Sequence, residues 1–249
     1  MLKINNISYS YTKERAILNN ISFEINDNEI GVLLAPNGVG KTTCLKCIAS
    51  ILKVNSGDIL CDDVSLLNLK DLERAKYISY VSQENSIPYL TVYDLIMLGR
   101  SMHYSFSPKE EDYAEVEKVI NDLELNDLAF RDYNTLSGGE KQIVMIARAI
   151  VQKPKILILD EPTSNLDIKN QLKIIELIKK ISKELNISVI MSMHDINLAL
   201  KVGEKFILMK DSIIKYIGNK DIITEESIKD VFDVEIKIEN KENNKTIIY

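Results

Sequence analysis

Short apolar runs alternate along the chain with longer helical patterns. Residues 41–52 and 168–185 carry apolar side chains at the spacing of an amphipathic helix. Three runs are instead almost continuously apolar, as is typical of strands covered on both faces of a sheet. These are Ile30–Ala35, Lys155–Asp160 and Ile187–Met193. The alternation of such strands with helices predicts a parallel sheet with helices on both of its faces.

Two regions depart from this alternation. The first 25 residues contain two β-like runs, which predict an antiparallel β-subdomain, and Ser56-Gly57 further on indicates a turn. From about Thr91 to Lys153 helical patterns replace strand patterns, beginning with a capping box, Thr91-x-x-Asp94.

We therefore expect one α/β domain over residues 1–249. Its core, with the β-subdomain, would occupy 1–85 and 154–225, and an inserted α-helical subdomain would occupy 86–153. Residues 226–249 would form a C-terminal tail, in which 234–249 would fold as a loose hairpin.

Composition and charge exclude some classes of protein. The chain is 45% apolar, enough for a large core, and its net charge of -6 argues against a sequence-independent nucleic-acid binder, which normally needs a basic face. No run approaches the ~18 apolar residues of a membrane-spanning helix. The polar, alternating start is unlike a signal peptide.

The cysteine count fits a reducing compartment, with residues at 44, 47 and 61. Cys44 and Cys47 have the C-x-x-C spacing of redox and metal sites, but no second pair completes a metal site. Because both should lie on a buried helix, we interpret the pair as part of the core.

A glycine-rich loop, APNGVG, joins the first apolar strand to a helix. Gly38 and Gly40 would let the backbone approach a phosphate, Lys41 would supply positive charge and Thr42 would offer a hydroxyl to Mg²⁺. The segment therefore predicts a phosphate-binding loop.

Ala35 stands where the pattern G-x-x-x-x-G-K-[ST] has its first glycine. If its φ angle were positive, the alanine would cost about 1–2 kcal/mol, and if φ were negative it would cost almost nothing. Alanine is the smallest replacement, so we expect the loop to remain functional.

Two acidic residues lie at the end of the second apolar run. Asp160 is its last residue, at the place where P-loop NTPases hold Mg²⁺, and Glu161 is the next residue. Glu161 is a candidate for the base that orients and deprotonates an attacking water.

A third motif, LSGGE, spans residues 136–140. Ser137 and Glu140 have the S-x-x-E spacing of a capping box, which predicts a helix over 140–151. Capping alone does not require Gly138 and Gly139, whose exposed N–H groups at a helix start would form a second anion site. Both interpretations hold together.

Taken in order, these motifs resemble those of ATP-binding cassette (ABC) ATPases, over residues 11 to 195. PNGVGKTT resembles the Walker A motif, ILILDEP the Walker B motif and LSGGE the family signature. Gln83 in YVSQE resembles the Q-loop glutamine, Asp167 in SNLD belongs to a D-loop, and His194 resembles the switch histidine. Ala35 and Glu140 depart from the commoner residues, but both lie beside groups that act mainly through their backbone.

The resemblance implies a P-loop NTPase (RecA-like) core and a role for each matched residue. The residues implied to bind ATP are Tyr11, which would stack on adenine, Asn37, Gly38, Val39, Gly40, Lys41, Thr42 and Thr43. The signature residues implied to bind the ATP of a partner subunit are Ser137, Gly138, Gly139 and Glu140. Mg²⁺ would be held by Thr42, Gln83 and Asp160, and catalysis would rest on Glu161 and His194.

Two classes of function compete within this resemblance. A soluble ABC ATPase of DNA repair or chromosomes would need a long coiled coil, whereas only 54 positions separate Gln83 from Ser137. One cassette and no basic arm also disfavour the translation type, so the motor of a transporter is favoured. TVYDLIMLGR, HDINLAL and the terminal IITEESIKDVFDVEI resemble importers of iron chelates, haem and cobalamin, although zinc and manganese importers are similar in the first stretch.

The importer resemblance implies further partners. We expect a homodimer at the cytoplasmic face of the cell membrane, docked on two integral-membrane permease subunits that receive cargo from an extracytoplasmic binding protein. His103 matches none of the motifs and is expected at the surface or at a partner interface.

Overall fold

The computed structural model describes residues 1–12, 15–83, 89–241 and 244–248. Its strands are β1 (Leu2–Thr12), β2 (Arg15–Ile25), β3 (Ile30–Leu34), β4 (Ser56–Cys61), β5 (Val64–Ser65), β6 (Ile78–Val81), β7 (Ile156–Asp160), β8 (Ser188–Met193), β9 (Lys205–Lys210), β10 (Ile213–Gly218), β11 (Lys237–Lys241) and β12 (Asn244–Ile248). Its α-helices are α1 (Lys41–Ile48), α2 (Asp71–Arg74), α3 (Val92–Leu98), α4 (Glu110–Asp122), α5 (Gly138–Ile150), α6 (Ile168–Glu184), α7 (Ile196–Val202) and α8 (Glu225–Phe232).

The central sheet has six strands in the order β10-β9-β3-β8-β7-β6. β3 pairs in parallel with β8 and β9, and β7 pairs in parallel with β6 and β8. Only the edge pair of this sheet, β9 and β10, is antiparallel. The predicted parallel core is therefore confirmed, and the carboxyl ends of β3, β6, β7 and β8 meet along one edge.

Alternate residues of the central strands pack into two separate hydrophobic cores, one on each face of the sheet. Val32 and Leu34 belong to the core that contains α5, α6 and α7, whereas Leu33 belongs to the core that contains α1 and the antiparallel strands. Because side chains alternate across a strand, helices cover both faces of the sheet, as the continuous apolar runs predict.

A four-stranded antiparallel sheet, in the order β2-β1-β4-β5, forms the predicted β-subdomain. The expected turn at Ser56-Gly57 is wrong, because both residues open β4. Gly57 has a φ of +91°, and a Cβ there would lie 2.5 Å from the carbonyl oxygens of Asn5 and Asn6. The glycine thus marks a close approach of two strands at a register shift in their pairing, not a turn.

The region between β6 and β7 is helical, as expected. Thr91 caps α3 by accepting a hydrogen bond from the Asp94 N–H at 3.1 Å. Arg100 and Asp112 form a fully buried ion pair at 2.9 Å, which joins the end of α3 to the start of α4. His103, expected at the surface or at a partner interface, is half-buried, and its Nε2 lies 3.1 Å from the carbonyl oxygen of Gln152.

The C-terminal residues fold as the predicted hairpin, with β11 and β12 antiparallel. α8, which precedes the hairpin, was not expected from the pattern. The domain boundaries stay predictions, and the one between residues 85 and 86 lies outside the described residues. Over the described ranges, each helix falls short of the length and apolar character that crossing a bilayer requires.

Candidate active site

The loop after β3 wraps around the amino end of α1. Gly40 is the N-cap of α1 with a φ of 113°, and a Cβ there would lie 2.8 Å from the Ile17 Cγ2 atom. A side chain at this position would be both strained and blocked, which is why glycine precedes the lysine. Gly38 also has a positive φ, 79°.

Lys41 is only 6% exposed and is held inside the loop. Its Nζ donates to the carbonyl oxygens of Ala35 at 2.8 Å and Pro36 at 3.4 Å. Burial lowers the pKa of this lysine, while the negative charges of Glu161 and Asp160 act in the opposite direction. The two carboxylates favour the charged form of the lysine, so a cation lies inside the loop.

Ala35 does not have a positive φ; the non-glycine residues of the described chain that do lie elsewhere. Its side chain is buried in the core beside α1. The conformational freedom of glycine is therefore not needed at this position, which resolves the departure from the sequence pattern.

Asp160, at the end of β7, is a buried carboxylate that accepts three hydroxyl hydrogen bonds. Thr42 Oγ1 lies 3.1 Å and Ser192 Oγ 2.6 Å from Oδ1, and the Tyr80 hydroxyl lies 3.1 Å from Oδ2. Burial, and then the charge of Asp160, raises the pKa of Tyr80 well above its usual range, so Tyr80 stays a donor. The three hydroxyls fix the carboxylate beside Thr42.

Glu161 adopts a left-handed backbone conformation, with a φ of 49°. Its N–H donates to Ser192 Oγ at 2.9 Å, and its side chain is 16% exposed. Gln83 Nε2 donates to Glu161 Oε2 at 3.0 Å, and His194 Nδ1 lies 3.7 Å from the same oxygen. Gln83 and His194, which follow the strands on either side of β7, thus converge on the carboxylate of Glu161, whose strained backbone is of the kind found at functional sites.

A shallow concavity of about 260 Å³ lies over the loop. Tyr11 lies at its side and is 62% exposed, with its hydroxyl 3.4 Å from Thr43 Oγ1. Tyr9 packs edge-on against the Tyr11 ring, with 5.0 Å between the two ring centroids. The lining residues are Tyr11, Ile17, Asn37, Gly38, Gly40, Lys41, Thr42, Thr43 and Glu161. Val39, the remaining loop residue, is half-buried and packs against the core.

The LSGGE motif opens α5 with the predicted capping box. Ser137 Oγ accepts from the Glu140 N–H at 3.4 Å, and Glu140 Oε2 accepts from the Ser137 N–H and hydroxyl at 2.8 and 2.7 Å. These hydrogen bonds from Ser137 hold the pKa of Glu140 below its usual range. Within the described chain, the motif contributes nothing to the lining of the concavity over the loop.

The D-loop and the signature meet through one asparagine. Asp167 caps α6, with Oδ1 accepting from the Asn170 N–H and Oδ2 from the Asn170 Nδ2, both at 2.8 Å. A Cβ on Gly139 would lie 2.6 Å from the Asn170 Cγ atom. A side chain at the second glycine of the signature would therefore displace the Asn170 amide, which is hydrogen-bonded to Asp167.

Two residues of the site were missed in the sequence, Tyr80 and Ser192. Each is a polar side chain within a predicted strand run: Tyr80 lies in ISYVSQ, three positions before Gln83, and Ser192 lies in ISVIMSM, two positions before His194. That signal marks them as unusual, but it does not show that they share Asp160, which lies on a third strand.

Fold and site define the class of protein as a P-loop nucleoside triphosphatase, with the phosphate loop and the acidic strand end side by side. The ABC transporter family model matches residues 18–164. The chain belongs to this ABC transporter family, and it is an ATP-binding, ATP-hydrolysing chain.

Two curated relatives match almost end to end. An uncharacterized ABC transporter ATP-binding protein of Methanocaldococcus jannaschii is 47% identical over 96% of this chain and 94% of its own. A protein of Helicobacter pylori, named as a probable iron chelatin transport ATP-binding protein, is 33% identical over 100% of this chain and 99% of its own.

Solved structures agree with this assignment. An inward-facing ABC transporter provisionally classed as metal-chelate type covers 99% of this chain and 96% of its own, at 27% identity and a TM-score of 0.86. A dimeric bacterial ABC transporter cassette covers 88% of this chain and 98% of its own, at 32% identity and a TM-score of 0.78.

Proposed function

We propose that this chain is the ATP-hydrolysing motor of an importer for an iron chelate, haem or cobalamin. The observation that carries the motor activity is the convergence of Gln83, Glu161 and His194 beside a loop that buries Lys41. Support for the cargo class comes from the relative named for iron chelatin transport and from the structure classed as metal-chelate type, which both match nearly the whole chain.

ATP would lie along the concavity over the loop. Lys41 would meet the β- and γ-phosphates, while the N–H groups from Asn37 to Thr43 would surround them. Tyr11 is exposed at the side of the concavity with its ring braced by Tyr9, so its free face suits a stacked adenine.

The oxygen donors beside the loop fit Mg²⁺. This ion is usually held by one or two carboxylates together with substrate phosphates and water. Thr42 Oγ1 and Asp160 Oδ1 lie 3.1 Å apart, and Gln83 would add its amide oxygen. When bound, Mg²⁺ would neutralise charge on the phosphates. The roles of Tyr80 and Ser192 are then to hold Asp160 in place through their hydroxyl groups.

Glu161 would act as the general base toward the attacking water. Its oxygen Oε2 faces Gln83 and His194, and its backbone is fixed by the hydrogen bond to Ser192. His194 is 53% exposed, so its ring is open to a γ-phosphate.

The working unit would be a homodimer in which Ser137, Gly138, Gly139 and Glu140 cap the ATP of the other copy. Ser137 and Gly138 are exposed, as is Asp167 of the D-loop. Beside Asp167, the apolar side chain of Ile168 is 76% exposed, which fits a face that a second copy covers. The matched bacterial cassette was solved as a dimer.

The dimer would be a peripheral protein at the cytoplasmic face of the cell membrane, bound to two permease subunits. An extracytoplasmic binding protein would deliver the cargo to the permease. No nucleic acid is expected as a partner, given the acidic charge.

Uptake through the assembled importer tests the cargo. The chain would be co-purified with the permease from its native host, reconstituted in vesicles and supplied with ATP and a panel of ferric siderophores, haem, cobalamin, zinc and manganese. We expect ATP-dependent uptake of one member of the first three groups. Uptake of zinc or manganese would instead support the divalent-metal importer, and failure of any permease to co-purify would favour a soluble ABC ATPase.

A further inference from the structure

The side chain of Asn197 links the C-terminal hairpin to α7 by two hydrogen bonds. Asn197 Oδ1 accepts from the Ile247 N–H at 2.8 Å, and Asn197 Nδ2 donates to the Ile247 carbonyl oxygen at 3.0 Å. In an antiparallel strand the N–H and C=O of one residue point to the same side. The Asn197 amide thus makes the two hydrogen bonds that a neighbouring strand would make to Ile247 of β12. Without it, these backbone groups of Ile247 would lose their partner.

Apolar packing reinforces this link. Ile247 is 3% exposed and Ile236 7%, and both belong to the same core as Ile196 and Leu200 of α7. Lys245 Nζ adds a second anchor, donating to the carbonyl oxygens of Ile223 at 2.7 Å and Lys220 at 2.9 Å. The hairpin is therefore docked on the body of the protein at two independent points.

α7 depends on such packing for its position. The helix has only seven residues, and isolated helices of this length are not stable in water, so tertiary contacts must hold it. Its N-cap is Asp195, whose Oδ1 accepts from the Leu198 N–H at 2.9 Å. His194 is the residue immediately before this cap.

His194 itself is lightly held. Its side chain is 53% exposed, and its Nδ1 lies 3.7 Å from Glu161 Oε2, beyond hydrogen-bond distance. Since more than half of the side chain is exposed, the position of its ring follows the backbone that leads into α7.

We propose that Asn197 is a positioning residue for the ATPase reaction, through which the C-terminal hairpin sets α7 and so the distance between His194 and Glu161. The inference rests on the proposed function, because it requires His194 to act in hydrolysis. It assigns the hairpin a part in catalysis, although none of the hairpin residues that the structure describes lines the concavity over the loop.

A double-mutant cycle on the full-length chain tests this role. Steady-state phosphate release would be measured across ATP concentrations for the wild type, Asn197→Ala, His194→Ala and the double variant. Loss of this paired contact should lower kcat by about fivefold, the size expected for one or two hydrogen bonds, and leave the KM for ATP within about twofold. In the His194→Ala background the same substitution should lower kcat by less than about twofold, since contacts that act through one another are not additive.

Asn28→Ala provides a matched control for stability. Asn28 lies at the opposite end of β3, has a φ of 60° and donates from Nδ2 to Asn186 Oδ1 at 3.2 Å. Its replacement should lower the melting temperature but leave kcat unchanged when measured well below that temperature.

The outcomes separate the inference from the function on which it rests. An unchanged kcat in Asn197→Ala, an equal loss in the His194→Ala background, or an equal loss in Asn28→Ala would each overturn the positioning role. If His194→Ala kept the wild-type kcat, the assignment of His194 would fail, and the inference with it.

Discussion

At the scale of single residues, the nucleotide loop is held by its own lysine. Lys41 closes the loop onto the carbonyl oxygens of Ala35 and Pro36, so the cation is already placed where phosphates would bind. Asp160 is fixed in the same way by three hydroxyls. Both groups are ordered by the protein alone, which limits the reorganisation that binding requires.

Lys41→Ala should weaken ATP binding by roughly two orders of magnitude, because each hydrogen bond to a charged group is worth about 1.5–3 kcal/mol. Ala35→Gly is the matched change in the same loop. Since Ala35 lacks a positive φ, glycine there should alter affinity by less than about tenfold, or ~1.4 kcal/mol. Titration with a fluorescent ATP analogue compares them, and a large gain in Ala35→Gly would show that the native loop is impaired.

Tyr11→Ala should weaken the binding of ATP and GTP to the same extent. Stacking on an aromatic ring is worth about 1–3 kcal/mol and tolerates any base, because every base has a π-face. Tyr11→Phe keeps the ring and removes only the hydroxyl that lies near Thr43, so it should bind both nucleotides nearly normally. Strongly different effects on ATP and GTP would show that Tyr11 reads a base edge instead.

Much of the candidate site could be predicted at this scale, because many of its residues lie next to one another in the sequence. Gly40, Lys41 and Thr42 are neighbours in sequence, so the pattern that they form is enough to predict a phosphate-binding loop. Tyr80 and Ser192 could not be assigned, because their partner Asp160 lies on another strand and the pairing of strands is not written in either run.

At the scale of elements, the uninterrupted apolar runs predicted the bounds of the central strands to within a few residues. The run at 155–160, for example, corresponds to β7, Ile156–Asp160. α8 was missed because only three of its eight residues, Ile228, Val231 and Phe232, are apolar. β4 was misread because Gly57 signals a turn as readily as a close strand contact. Local propensity does not distinguish these, since the contact depends on Asn5 and Asn6 in β1.

The buried cysteines of α1 and β4 behave as core residues. Burial raises the pKa of Cys47 to about 12 and of Cys61 to about 11, and burial together with neighbouring Cys47 raises that of Cys44 further. We expect no reaction with a thiol reagent at pH 8 in the native state, and reaction of all three thiols after unfolding. Rapid labelling of the folded protein would contradict the core assignment.

The raised thiol pKa values also predict a pH dependence of stability. In the folded state the thiols stay protonated, whereas in the unfolded chain they ionise above about pH 9. The free energy of unfolding should therefore be unaffected by them below that pH and fall as pH rises from about 9 towards 11. Cys47→Ser removes one such group, so denaturant titrations should show a shallower fall, and an identical slope would refute the assignment.

At the scale of the whole molecule, we propose two anion-binding elements, the loop and the signature, but within the described residues a single tyrosine, Tyr11, to stack on adenine. The loop over Lys41 opens on the concavity beside Tyr11, whereas the signature at Ser137 opens α5 on an exposed surface. If each element needs its counterpart from a second copy, hydrolysis belongs to the dimer. The rate per chain should then fall on dilution.

Ser137→Arg isolates the capping element. The variant keeps its own loop and should bind ATP, but the bulky cation at the start of α5 should block dimer formation. The lost cap on α5 costs about 1 kcal/mol, which a folded domain of this size tolerates. Failure to bind ATP at all would show that the signature serves its own subunit.

The most direct test of the account is the oligomeric state of Glu161→Gln in MgATP. The amide keeps the shape of the side chain and leaves Asp160 intact, while the proposed general base is lost, so ATP should be bound without being cleaved. Size-exclusion chromatography with light scattering should show a monomer without nucleotide and a stable dimer in saturating MgATP, whereas Ser137→Arg stays monomeric in both. A Glu161→Gln protein that remains monomeric at high concentration in saturating MgATP would contradict the shared site.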